Sequence, residues 1–203
     1  MAKSPALKES PSQTAGPYVH IGCTPNFVGI SGVYPQDTGM VMVNERTKGE
    51  RIRISGCVFD GAGKPLTDAL IEIWQADADG LYNSPSEPRG KADAEFSGWG
   101  RQPSDLDTGR FTFDTIRPGP VPAADGRVQA PHISFWIVAR GINLGLSTRL
   151  YFDDESEANA ADPVLSSISE PARRQSLLAR REGDMFSFDI HLQGPDETVF
   201  FDV

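Results

Sequence analysis

Met185-Phe-Ser-Phe-Asp-Ile-His-Leu192 places Phe186, Phe188 and Ile190 at every second position, with Ser187, Asp189 and His191 between them. Side chains of an extended chain point alternately to opposite faces, so this spacing gives one face for a core and one for water. A helix would spread the same residues around its circumference. Working outward, the stretches Arg51 to Phe59, Ala69 to Gln75, Arg110 to Thr115, His132 to Arg140, Ser147 to Phe152 and Thr198 to Asp202 are also short and apolar, with frequent β-branched and aromatic residues. The 20 Gly and 16 Pro interrupt nearly every longer helical pattern. The expectation is an all-β chain, a two-sheet β-sandwich with one or two short helices and long loops. Asp60-Gly-Ala-Gly-Lys-Pro65 reads as a hairpin connection. One helix is expected to start at Ser169, use Leu177 and Leu178 as its apolar face, and end near Arg180 and Arg181. Asp162 to Ser167 can add a short helical turn.

At 203 residues the chain fits a single domain, 1–203, with residues 1–20 expected as an extended N-terminal arm that packs on a partner chain because it cannot bury itself. A net charge of -9 and a pI near 4.8 exclude a nucleic-acid face, while leaving an anionic substrate possible in a locally basic pocket. No apolar run of leader or membrane-span length is present, so the expected location is cytoplasmic, with no membrane partner. Cys23 and Cys57 have neither disulfide-framework nor metal-ligand spacing and read as structural thiols. Nucleophile-elbow, Walker and dinucleotide-binding motifs are absent.

Four blocks carry a resemblance: Gly63-Lys-Pro-Leu-Thr-Asp-Ala-Leu-Ile-Glu-Ile-Trp-Gln-Ala-Asp77, Ile116-Arg-Pro-Gly-Pro120, Ala130-Pro-His-Ile-Ser134 and Arg149-Leu-Tyr-Phe-Asp153. In order and spacing they resemble the intradiol ring-cleaving dioxygenases, whose core is a transthyretin-like sandwich. Ser12-Gln-Thr-Ala-Gly-Pro-Tyr18 and Glu197-Thr-Val-Phe-Phe-Asp202 resemble in particular the alpha chains of the two-subunit members that cleave 3,4-dihydroxybenzoate to 3-carboxymuconate. In catalytic chains of that family, as the resemblance implies, two tyrosines and a His-x-His pair hold Fe(III), because hard ferric iron favours phenolate oxygen and imidazole completes the shell. Here Tyr82 and His132 stand at ligand positions, but Val121 replaces the second tyrosine and Ser134 the second histidine. Gln129 stands where an arginine is usual and Arg149 where a glutamine is. No metal is expected on this chain. The resemblance places Fe(III) in a homologous iron-binding beta chain as partner, with this chain closing one side of that pocket.

For substrate contact the resemblance points to Arg140, whose guanidinium can orient the carboxylate of an aromatic catechol-type acid. It also points to Thr14, Gly16, Pro17 and Tyr18: a hydroxyl, a backbone-approach glycine, a fixed turn and a ring. Other readings compete with these. Arg140 can instead pair with an acidic neighbour, and the Thr14–Tyr18 segment can simply lock two subunits. Tyr82 and His132 read as a leftover phenol and imidazole hydrogen-bonded in a closed pseudo-site. His20 and His191 read as structural or exposed, and Trp74 and Trp136 as core. Asp77, Asp79, Asp153, Asp154 and Glu155 read as loop caps rather than a carboxylate metal site. At the level of the whole chain, a transthyretin-like sandwich that only binds a ligand or protein remains an alternative, as does a self-sufficient metalloenzyme built on Tyr82 and His132.

Overall fold

A computed structural model describes residues 11, 13–16 and 18–202. The strands are β1 (Arg51–Phe59), β2 (Leu70–Trp74), β3 (Trp99–Pro103), β4 (Arg110–Ile116), β5 (Val121–Pro122), β6 (Val128–Gln129), β7 (His132–Val138), β8 (Leu146–Phe152), β9 (Leu178–Glu182), β10 (Met185–Ser187) and β11 (Ile190–His191). Short helices are α1 (Val19–Cys23), α2 (Ser156–Ala161), α3 (Pro163–Ser167) and α4 (Pro171–Arg174). The sheet-rich expectation holds at this level, with only short helices among the described residues.

Hydrogen bonding among the described residues links nine strands into one curled path, β11-β1-β10-β9-β8-β7-β2-β3, with β4 on β1; β5 and β6 form a separate ribbon. The path is continuous where two separate sheets were expected, because β8 and β9 pair in parallel at Tyr151–Leu178 and Phe152–Ala179. The core fills the inside of the curl. Phe111 and Phe113 of β4 meet Phe135 of β7 edge-on, with centroids 6.1 and 6.3 Å apart, and Phe188 tilts against Phe135 at 5.3 Å. Each such ring removes a large apolar area from water, and edge-to-face pairing adds a modest increment.

The alternation in Met185–Leu192 survives, with Phe186, Phe188 and Ile190 all buried. The stretch is nevertheless two strands, β10 and β11, because Phe188 N–H donates to Ser55 O and Asp189 Oδ1 accepts from Cys57 N–H at 2.9 Å. Gly56 makes this possible: a Cβ there would stand 1.8 Å from Phe188 O. The Asp60–Pro65 turn forms, Asp60 Oδ1 accepting from Ala62 and Lys64 N–H, but it closes only an isolated Phe59–Pro65 bridge. It is not a hairpin between long strands: β1 pairs with β4, β10 and β11, and β2 pairs with β3 and β7. The helix expected from Ser169 to Arg181 stops at Arg174, followed by a 3-10 turn, and residues 178–182 are strand β9. Pairing of β9 with both β8 and β10 overrides its local helical signals. Thr198–Asp202 contributes one bridge, Ser147–Phe201.

Candidate functional site

Around the positions where the resemblance puts a ferric ion, strand register sets the arrangement. His132 and Ser134 lie two apart on β7, opposite Tyr151 and Arg149 of β8, and Ser134 also pairs with Trp74 of β2. Beyond β2, buried Gln75 accepts from Thr115 Oγ1 at 2.8 Å and donates to Ile116 O at 2.9 Å, tying the end of β2 to β4. The following loop turns at Gly80, φ +77°, where a Cβ would stand 2.2 Å from Pro120 O. That close approach sets Tyr82 beside the segment leading into Val121. The Tyr82 ring lies flat on Trp74, centroids 5.7 Å apart and 5° from parallel. Its N–H donates to Glu87 at 3.0 Å, and Arg89, paired to Glu87 at 2.6 Å, helps hold that carboxyl down to about pH 2.

Arg149 is the charge that organises this end. Its Nη1 donates to Gln129 Oε1 at 2.8 Å and to the Tyr151 hydroxyl at 3.4 Å. Both Tyr82 and His132 feel its positive charge. Burial pushes the Tyr82 phenol up, with Arg149 and Arg89 opposing. Burial, then Arg149, holds His132 down at about 4. His132 Nδ1 lies 2.8 Å from Ala130 O; a carbonyl only accepts, so Nδ1 carries the proton. Tyr151 is raised by burial and by Asp162, whose Oδ1 accepts its hydroxyl at 3.3 Å.

These residues do not suit a ferric ion. Val121 is buried and offers no donor, Ser134 offers a short neutral hydroxyl, and a guanidinium standing among the remaining groups would repel a trivalent cation. Of the two phenolates and two imidazoles of the family's donor set, only Tyr82 and His132 remain at their positions. His132 has a second consequence. An unfolded chain protonates its imidazole near pH 6.5, whereas the fold keeps it neutral down to about 4. Stability is therefore lost as pH falls across that window, by at most about 3 kcal/mol from this group. Urea unfolding of a His132→Gln variant is expected to lose about 2 kcal/mol less than wild type between pH 7 and 4.5; parallel slopes would contradict the buried neutral imidazole.

Of the residues expected to face substrate, Thr14 and Arg140 come together at the other end of β7. Thr14 Oγ1 donates to Ala139 O at 3.1 Å and accepts from Gly141 N–H at 2.9 Å, bracketing Arg140. Gly16 adopts φ +68°, Tyr18 is 76% exposed just before α1, and Pro17 lies outside the described residues. Most of the arm expected over 1–20 also lies outside them, and its last two residues open α1. Arg140 is 68% exposed, with Nε 3.2 Å from Asp68 Oδ2. The acidic neighbour considered from sequence thus exists, and it approaches the Nε edge of the fork. Ser134 and Arg140 are six positions apart, roughly 20 Å along extended chain.

Other side chains fall differently from expectation. Trp74 and Trp136 are not core: Ile71, Ile73, Phe135 and Ile137 take the inward positions, so period two turns both indoles outward, Trp136 42% exposed. Asp77 caps its loop, accepting from Asp79, Leu81 and Asp93 N–H. Asp154 and Glu155 instead pair with Arg117, and Asp154 also with Arg181. His20 is buried near Ala69 O, and His191 stacks on Phe59. Asp68 and Asp162 were not singled out as site residues. Asp162 had a readable signal, an acid immediately before Pro163, which fits an N-cap.

Residues 23–194 match the family model described as Dioxygenase. The chain belongs to the intradiol dioxygenase family. This intradiol chain is 44% identical, over 97% of its length and 97% of the other, to the protocatechuate 3,4-dioxygenase alpha chain of Pseudomonas putida. It is 35% identical to the protocatechuate 3,4-dioxygenase beta chain of Burkholderia cepacia, over 76% of this chain and 69% of that one. Among solved structures, 3-chlorocatechol 1,2-dioxygenase from Rhodococcus opacus 1CP shares the fold, with TM-score 0.56, 23% identity, and coverage of 80% of this chain and 69% of that one. No helix among the described residues is long and apolar enough to cross a membrane.

Proposed function

We propose that this chain is the alpha subunit of a cytoplasmic protocatechuate 3,4-dioxygenase, in which Fe(III) is held by a homologous beta chain and not by this one. The reaction is 3,4-dihydroxybenzoate plus O2 to 3-carboxy-cis,cis-muconate, both oxygen atoms entering the product. One observation carries the reading: the former ligand positions and the Arg140–Thr14 cluster lie at opposite ends of β7, too far apart for one single-ring substrate to touch both. A substrate held by Arg140 must therefore meet its metal on another polypeptide. The similarity to both alpha and beta chains supports a homologous partner as that polypeptide.

In this account the partner's iron supplies the chelation that makes the ring reactive toward O2. This chain supplies position. The exposed guanidinium of Arg140 takes the substrate carboxylate while Asp68 pairs with it from the Nε edge, and the Thr14 hydroxyl fixes the backbone on both sides of that arginine. By the resemblance, Gly16, Pro17 and Tyr18 are proposed to contact substrate together with Arg140, and residues 1–20 to serve as the arm that seats this chain on the partner. The cross-core aromatic contacts between β4 and β7 support reading the curled sheet as two packed layers, the transthyretin-like form. Co-expression with an intradiol beta chain tests the proposal. A stable complex whose turnover is lost on removing this chain is expected; unchanged turnover by the beta chain alone would favour a non-catalytic binding module.

A further inference from the structure

The outward positions of four adjacent strands line a cavity of about 430 Å³ that the proposed reaction does not use. Register brings them together: Trp74 opposite Ser134, Trp136 opposite Ser147, and Arg149 opposite Ser134. Phe201, held by its N–H to Ser147 O, closes one side. The volume is in the range of small-molecule sites, and the walls are flat and aromatic. Trp136 lies across Gly145, where a Cβ would come within 2.1 Å of its indole nitrogen, so only glycine leaves room for the ring.

Three donors facing this space lack a protein partner. Among the described residues, the hydroxyls of Ser134 and Ser147 and the indole N–H of Trp136 make no hydrogen bond. Half-buried Arg149 hydrogen-bonds to the neutral Gln129 and Tyr151 side chains, through Nη1, and pairs directly with no carboxylate among the described residues; Asp162 stands on the far side of the Tyr151 hydroxyl. Arg101 and Arg117, at comparable depth, each pair with an acid. Of the acids on the rim, Glu72 is engaged by Arg101 at 2.6 Å and by the Trp99 indole at 3.4 Å, and Asp202 is exposed. An unneutralised guanidinium beside aromatic walls complements a flat anion.

We infer that this cavity is a second ligand site, distinct from the Arg140 cluster, which binds a single-ring aromatic carboxylate with its ring between Trp74, Trp136 and Phe201 and its carboxylate on Arg149. The inference does not depend on the proposed subunit role. It is tested on the full chain without a partner, by fluorine NMR titration with para-fluorobenzoate and with the neutral para-fluorobenzamide. Saturable binding of one benzoate per chain is expected, weakened about tenfold or more by Arg149→Gln, with the amide weak on both proteins. Trp136→Ala, at an exposed position, gives an independent loss should Arg149→Gln disturb folding. Non-saturable binding, equal affinity for the amide, or wild-type affinity in both the Arg149→Gln and Trp136→Ala proteins would overturn the site.

Discussion

In a complex with the beta chain, Arg140→Ala is expected to raise KM for 3,4-dihydroxybenzoate by on the order of 30-fold while moving that for catechol less than about threefold. Two substrates separate the roles, because only the first carries the carboxylate. A charge-assisted hydrogen bond to a carboxylate contributes about 2 kcal/mol, which converts to that factor. Asp68 sharpens the contrast. With Arg140 gone, its carboxyl group is left facing the incoming anion, so loss of attraction is compounded by repulsion. The double variant Arg140→Ala with Asp68→Asn should therefore bind the acid better than Arg140→Ala alone. If kcat is nearly unchanged, Arg140 binds ground and transition states alike, as a positioning group should. Equal losses for catechol and the acid would contradict the carboxylate role.

Asp162→Ala is expected to destabilise the isolated chain by about 3 to 5 kcal/mol. Its side chain is fully buried and takes four donors: Val164 and Leu165 N–H at 2.8 Å, Ala130 N–H at 2.8 Å, and the Tyr151 hydroxyl. Truncation uncaps α3 and leaves buried donors unsatisfied on two other elements. Asp162→Asn keeps one oxygen but turns an amide N–H toward a donor, so an intermediate loss of about 2 kcal/mol is expected. Urea unfolding midpoints measure both. A loss below about 1 kcal/mol for Asp162→Ala would show that water replaces the carboxylate and that the network is less closed than it stands.

The parts of the fold legible in sequence were those where local pattern and tertiary role agree. Residues 51–59, 110–115 and 147–152 alternate or run apolar, and each pairs along nearly its whole length. Trp99–Pro103 was not recognised because Gly98 and Gly100 dilute its pattern; Gly100 is needed where Met42 packs against the strand. Leu178–Glu182 looked like the end of a helix, and only its two neighbouring strands, distant from it in local pattern, make it extended. Trp74 and Trp136 looked like core because an indole is large and apolar, yet period two from Ile73 and Phe135 already sends them outward.

The candidate site divides along the same line. Motif spacing identified Tyr82, Val121, His132 and Ser134, because those positions are defined by neighbours in sequence. That Arg149 reaches Gln129 on β6, that Thr14 brackets Arg140, and that Asp68 meets its Nε edge all depend on strand register or a returning arm. No local pattern encodes them.

Metal content with visible absorption, measured on this chain purified alone and on its complex with the beta chain, decides which chain carries the iron. The isolated chain is expected to be colourless and to carry well under about a tenth of an equivalent of iron, because half of the ferric donor set is missing. The complex should hold about one ferric ion per beta chain, with tyrosinate absorption. Stoichiometric ferric iron and catechol cleavage in the isolated chain would contradict it.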